Sequence, residues 1–456
     1  MSDLSFRRRH ALPGEYSSSE LDISHCCSRW REIAISLPPL WSSICVLAYE
    51  DPQSDGVHLL TELYLQRSGD APLDIFLNVS EAESLLSRLW PHAHRWRSAH
   101  LVPFNIALLD VNRTHILDLP IMESLSLSSA EFTAVPECSP IPISNAPILR
   151  TLSLDMMRYT FDQLVLPWHQ IHHLTMENLD VNQMHQALRL CSNAVTATFL
   201  RCANDFSYRD PIEYTSGDLS KLSIGADRRC ETLGPDITHC FYPALTTFTL
   251  ISGSQEFSFS HGIIPNLTSL IIRSNSHISS LTLHGISYNS KQLIELLQAV
   301  SPSLTKLDLC DVEHRAWNFL QMETWLIKAM IWSDVPALVG PISAISESGT
   351  YTLPGHLLPH LREFGIRLPG IRREIPLDRE KIGVLLRMIE SRCSSSIPLM
   401  GPSSTSTSQS VQSNLTGVGK VLERLHLGRL WSARMPLDFE ERLRMLQSAG
   451  LEITAL

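Results

Sequence analysis

A six-residue pattern, apolar-x-x-apolar-x-apolar, recurs through most of this 456-residue chain and limits its fold more than any other feature. It is carried by Leu149/Leu152/Leu154, Ile171/Leu174/Met176, Val195/Thr198/Leu200, Leu219/Leu222/Ile224, Leu245/Phe248/Leu250 and Leu267/Leu270/Ile272. It returns at Ile278/Leu281/Leu283, Leu304/Leu307/Leu309, Leu361/Phe364/Ile366 and Leu422/Leu425/Leu427, and Trp96/Ala99/Leu101 and Met122/Leu125/Leu127 extend it backwards. The first positions 149, 171, 195, 219, 245 and 267 are separated by 22, 24, 24, 26 and 22 residues. A unit this short supplies one strand of inward side chains and nothing of its own to cover them. Each unit must therefore stack on the next.

A period of roughly 20 to 29 residues is the range of leucine-rich repeats. The expectation is an α/β chain, an irregular leucine-rich-repeat solenoid with a parallel concave sheet and helices or loops on the convex side. Val181 to Cys191 and Lys291 to Val300 carry apolar residues at helical spacing, the second behind a Ser290 cap. Asn178 and Asn275 match the expected post-strand asparagine only loosely, so the repeats are degenerate. Steps of 57 and 61 residues, from Leu304 to Leu361 and on to Leu422, leave room for insertions. Helical insertions are expected over Ala316 to Trp332 and Asp378 to Arg392, and a disordered Ser/Thr-rich loop over 393–417. The run FEERLRMLQSAGLEI predicts a last helix, stopped at Gly450, and an edge strand.

Near the N-terminus, Ile23, Cys26, Cys27, Trp30, Ile33, Ala34 and Leu37 recur at steps of three and four, which predicts one amphipathic helix with all seven on its buried stripe. A capping box at Ser17-x-x-Glu20 would start it, and Pro38-Pro39 would end it. On this reading both cysteines are small buried hydrophobes rather than reactive or metal-binding groups.

The residues Cys26-Cys27-Ser28-Arg29-Trp30-Arg31, Ile33-Ala34, Pro38/Pro39-Leu40-Trp41 and Ser43-Ile44 resemble the second half of the F-box found in large fungal F-box-like families. The resemblance implies a short helical hairpin docking on the Skp adaptor of a cullin-RING ubiquitin ligase. Its adaptor-binding positions would be Ile23, Cys26, Cys27, Trp30, Ile33, Pro38, Leu40 and Trp41, with Trp30 and Trp41 holding the hairpin together. The family's opening Leu-Pro and apolar first helix have no counterpart in residues 1–20, where Leu12-Pro13 is followed by GEYSSSE. The stretches LLTELYLQRSGDAPLDIFLNV and SLLSRLWPHAHRWRSAHLV resemble the segment C-terminal to the F-box in those proteins, and read physically as helix, Gly69 cap, strand, Ser80-capped helix and strand. The expected organisation is thus a partial F-box-like helical segment over 1–48 and the repeat solenoid over 49–456.

Composition narrows the function. The net charge of -10 argues against a nucleic-acid binder, and no apolar stretch reaches the length of a membrane span. No hydrophobic signal core follows MSDLSFRRRH, and the ten cysteines form no CxxC pair, so a cytoplasmic or nuclear protein is expected. GxSxG, HExxH and GxxxxGK[ST] are absent; Gly417-Val-Gly419-Lys420 lacks the upstream glycine and the hydroxyl residue. His92/His94/His100 and His169/His172/His173 have no acidic or thiol partner at ligand spacing. Neither catalysis, metal nor cofactor is expected.

Alternation along each strand places the residues flanking the middle apolar position on the open sheet face. These are Thr151, Ser153, His173, Thr175, Lys221, Ser223, Thr247, Thr249, Ser269, Ile271, Lys306, Asp308, Glu363, Arg367, Arg424 and His426. Ser153, His173, Thr175, Lys221, Thr249, Lys306, Asp308 and Arg367 are the candidates for contacting a substrate. Their mixed chemistry suits a protein surface better than a polyanion. Two functions are therefore expected as alternatives: a non-catalytic ubiquitin-ligase substrate receptor, or an interaction scaffold with no ligase role.

Overall fold

The recurring apolar pattern forms strands that pair in parallel. A computed structural model describes residues 19–47, 55–78, 83–102, 118–128, 141–143, 145–156, 161–202, 214–226, 240–252, 263–286, 290–310, 328, 330–331, 357–367, 379–393, 422–428 and 437–454. The chain divides into two units, Met1–Ile171 and His172–Leu456.

In the first unit, strands β1 (Ser43–Val46), β2 (Leu73–Asn78), β3 (Trp96–Val102), β4 (Ser124–Leu127) and β6 (Thr151–Asp155) lie side by side in that order. A separate two-residue pair joins β5 (Ile141–Pro142) to β7 (Leu164–Val165). Register aligns Ile44, Ile75, Ala99, Leu125 and Leu152 in one buried row, and Val46, Leu77, Leu101, Leu127 and Leu154 in the next. Each large apolar side chain so buried contributes about 1.5–3 kcal/mol, which is why the hexad tolerates almost anything at its x positions and little at the others. Helices α1 (Ser19–Cys26), α2 (Ser28–Ile35), α3 (Asp55–Arg67) and α4 (Glu83–Leu89) complete the unit. Gly69 ends α3 at φ +51, as the sequence leads one to expect of a helix stopped before an alternating strand. Strand β1 pairs in parallel with β2, Ser43 aligned with Asp74 and Val46 with Leu77.

In the second unit the order is β8 (His173–Glu177), β9 (Thr196–Cys202), β11 (Lys221–Ala226), β13 (Thr247–Ser252), β14 (Ser280–His284), β15 (Lys306–Cys310), β16 (Glu363–Arg367), β17 (Arg424–Gly428) and β18 (Glu452–Thr454). Here too a short pair, β10 (Tyr214–Thr215) and β12 (Cys240–Phe241), lies outside that sheet. Leu174, Ala197, Leu222, Phe248, Leu281, Leu307, Phe364 and Leu425 form one buried row. Between strands come helices α5 (Val181–Leu190), α6 (Ile263–Ser274), α7 (Ser290–Val300), α8 (Arg379–Cys393) and α9 (Leu437–Ser448). Asp180 caps α5 in a reciprocal box with Gln183, at 2.8 and 2.9 Å. Gly450, at φ +105, stops α9 before β18. The protein is a mixed α/β chain built on parallel sheet, and among the described residues no sheet closes into a barrel. Nor is any described helix long and apolar enough to cross a membrane.

Two expected strands differ. Leu267/Leu270/Ile272 lies in α6, so Ser269 and Ile271 are helical; Ile271 is buried and Ile272 exposed. The cause is a competing period: Ile263, Ile264, Leu267, Leu270 and Ile271 fall at helical spacing and share the buried face. In β9 the inward residues are Ala197 and Phe199, not Thr198 and Leu200, with Ala194 buried ahead of them. Both alternating sets contain an apolar residue, and pairing with β8 and β11 selects the one carrying Phe199. The expected insertion at Asp378 to Arg392 is helix α8, whereas Ala316 to Trp332 falls almost wholly outside the described residues. So do the Ser/Thr-rich run, the Ser17 cap and Ser80.

Candidate functional site

Two surfaces carry the residues singled out by sequence. The first is the N-terminal helix pair, where one expected helix is in fact two. Cys27 takes an extended conformation, φ -161 and ψ 171, between α1 and α2. Backbone groups freed by the break find partners locally: Arg31 Nε donates to Ser24 O at 2.9 Å and Arg31 N to Cys27 O at 2.9 Å. The expected stripe is thereby cut, because the break rotates the residues after Cys27 away from those before it.

The result reverses the predicted burial. Cys26 and Cys27 are exposed free thiols. Trp30 is 53% exposed, Ile33 39%, Ile35 44% and Leu37 48%, and only Ala34 of α2 is buried. Pro38 is exposed, and Ile23 and Leu40 are half-buried. Trp30 is therefore not a buried anchor, whereas Trp41 is, tying α2 to α3. Fully buried on the short 3-10 turn Pro38–Trp41, Trp41 donates from Nε1 to Ala34 O at 2.7 Å. Its ring meets Tyr64 of α3 edge-on at 5.2 Å, and the Arg67 guanidinium lies 4.2 Å from its centroid. Several large apolar side chains of this stretch are thus left exposed beside a buried tryptophan.

The second surface is the outward face of the sheet, taken unit by unit. In the first unit Thr151 and Ser153 of β6 align with Ser124 and Ser126 of β4. Further along, Asp74 is held by Arg97 and by Ser98 Oγ, the latter at 2.6 Å.

In the second unit the register lines up His173, Thr196, Lys221, Thr247, Ser280, Lys306, Glu363, Arg424 and Glu452. The neighbouring row is Thr175, Thr198, Ser223, Thr249, Thr282, Asp308, Gly365, His426 and Thr454. Hydroxyls dominate its first five places. Charges on this face are largely matched internally: Glu363 pairs with Lys306 at 3.2 Å and with Arg424, and His284 Nε2 lies 3.3 Å from Asp308 Oδ2. His173 Nδ1 meets Thr196 Oγ1 at 2.9 Å, and its pKa is lowered by burial first and by His172 and Lys221 next.

Asp308, expected to face solvent, is buried on the outward face. The room comes from Gly365, where an added Cβ would sit 2.5 Å from Asp308 Oδ1. Arg367 is on β16 in register with Cys310. Sequence reasoning missed Thr196, Thr198, Ser280, Thr282 and His284. For Ser280, Thr282 and His284 the signal is present, since the pattern places Leu281 and Leu283 inward; for Thr196 and Thr198 the register slip hides it. Among the described residues no three His, Cys, Asp or Glu side chains converge as metal ligands.

No protein-family model matches this chain, and no curated protein matches it.

Proposed function

We propose that this chain is the non-catalytic substrate-recognition subunit of an SCF-type cullin-RING ubiquitin ligase, working in the cytoplasm or nucleus. Its N-terminal helix pair is an F-box-like element that docks on the Skp adaptor. Its parallel sheet belongs to a degenerate leucine-rich-repeat solenoid whose outward face receives a protein substrate.

One observation carries the reading: Trp30, Ile33 and Ile35 of α2 and Leu37 just after it are all exposed, in the stretch that leads to the buried Trp41. Four large apolar side chains left exposed within eight residues suit a contact surface, since leaving them in water forgoes their burial energy. They fall within the stretch whose residues resemble the F-box. A chemically mixed, internally neutralised sheet face supports recognition of a protein rather than of a polyanion. The second reading is a repeat scaffold without a ligase role, for which the mixed chemistry of the sheet face suffices on its own.

Co-purification with the Skp adaptor separates the two. The full chain should retain the adaptor, and Trp30→Asp should lose it while melting at the same temperature as the parent, because Trp30 is half in solvent already. A parent chain that retains no adaptor, or a Trp30→Asp chain that retains as much, ends the ligase reading.

A further inference from the structure

Of the 37 lysines and arginines in this chain, only six are lysine: Lys221, Lys291, Lys306, Lys328, Lys381 and Lys420. Residues 1–220 hold 15 arginines and no lysine at all. The whole of the first unit, Met1–Ile171, which carries the exposed stretch of α2, is therefore without a lysine amine. Lysine is ordinarily among the commonest residues, so its depletion needs a cause.

Folding supplies that cause at some positions and not at others. Arg95 donates from Nε and Nη2 to Ala71 O and from Nη2 to Ser68 Oγ, Arg97 forks onto the Asp74 carboxylate, and Arg67 lies over the Trp41 ring. A planar guanidinium fills these roles and an ammonium does not. Arg29 and Arg150 are exposed, and among the described residues neither side chain has a hydrogen-bond or ion-pair partner. Arg88, 41% exposed, makes one bond from Nη1 to Glu62. Lysine would serve the fold equally well at all three, because the charge is kept and no fork is used. What still separates the two residues is chemistry: the lysine amine is the acceptor of ubiquitin, whereas the guanidinium stays charged.

We propose that this chain is protected from ubiquitylation in cis, the unit that docks on the adaptor holding arginine where a lysine would be modified by the ligase the chain serves. The inference rests on the ligase reading. In the transfer so avoided, a lysine Nζ attacks the carbonyl carbon of the thioester that joins ubiquitin to the conjugating enzyme. The amide C–N bond forms, the C–S bond breaks, the thiolate leaves with the enzyme and the proton lost from nitrogen passes to water. A guanidinium, which holds its proton to above about pH 12, does not take the first step. A docked receptor meets the thioester at the effective concentration of a tethered group, of the order of millimolar, so an amine on it would be modified ahead of a transient substrate.

Ubiquitylation reconstituted with the full chain, the Skp adaptor, the cullin and RING subunits, the activating and conjugating enzymes, ATP and ubiquitin tests it. Arg88→Lys/Arg150→Lys should match the parent in melting temperature and in adaptor retained, yet carry roughly fivefold more ubiquitin, as expected of a tethered amine. Peptide mapping should place the added conjugates at positions 88 and 150. Arg150→Lys alone, which disturbs no ion pair, should gain in the same direction, and Arg88→Gln/Arg150→Gln should stay at the parent's level. A complex that retains the adaptor and discharges ubiquitin onto free lysine, but modifies the folded lysine variants no more than the parent, overturns this inference and leaves the ligase reading standing. A chain that retains no adaptor ends the ligase reading, and this inference with it.

Discussion

Arg392, near the end of α8, is 3% exposed and its guanidinium is spent on backbone. Nε donates to Met330 O at 2.9 Å, Nη1 to Leu358 O at 2.8 Å and Nη2 to Leu357 O at 2.7 Å. One side chain thus ties three carbonyls from two stretches of chain to a helix that comes 34 to 62 residues later. Charged hydrogen bonds are worth about 1.5–3 kcal/mol each, so the three together contribute about 6 kcal/mol. Against this stands the cost of burying the cation: burial lowers its pKa from 12.5 to about 10, which corresponds to about 3 kcal/mol. The net loss expected for Arg392→Met is therefore about 3 kcal/mol, with three buried carbonyls left without a donor. Hydrogen exchange read by mass spectrometry should show it directly. Amides of 357–367 and 379–393 should exchange roughly 100-fold faster, while 173–202 change much less if opening there is independent. Arg392→Lys should recover less than half, because one ammonium cannot fork to three carbonyls. A change under about fivefold in 357–367 would refute the reasoning, since it would mean that the guanidinium contributes no more than its burial costs.

Three further predictions rest on single contacts. Trp41→Phe removes the 2.7 Å bond to Ala34 O and should cost about 1–2 kcal/mol in urea unfolding, whereas Trp30→Ala should stay within about 0.5 kcal/mol; equal losses would contradict the assignment of Trp41 as the anchor. Gly365→Ala should destabilise by about 1–3 kcal/mol because its Cβ meets Asp308, and Gly365→Ala/Asp308→Ala should recover most of that in a double-mutant cycle; additive losses would show that the clash is not the cause. Burial pushes the Cys191 thiol up to about 12. The folded state therefore holds that proton longer than the unfolded chain does, so its contribution is whole below about pH 8.5 and drains away as pH rises toward 12. Between pH 9 and 10.5 the parent should lose stability faster than Cys191→Ala by about 1 kcal/mol per pH unit, and parallel slopes would remove burial as the cause.

What the chain's sequence determined by itself is the inward half of the strands whose two faces differ clearly in polarity. Leu125 and Leu127, Leu152 and Leu154, Leu281 and Leu283, and Leu307 and Leu309 are assignable because alternation is local and a buried place accepts little but apolar side chains. Gly69 and Gly450 are legible as helix stops for the same local reason. Tertiary structure decided the rest. Leu267 joined a helix because the residues around it offered a second apolar period, and β9 chose Phe199 over Leu200 only by pairing with its neighbours. The break at Cys27 left residues of an expected core stripe exposed, as no spacing rule records where a helix restarts. Gly365 beneath Asp308, His284 beside Asp308 and Arg392 among distant carbonyls depend on how segments far apart in the chain align, not on what either segment prefers alone.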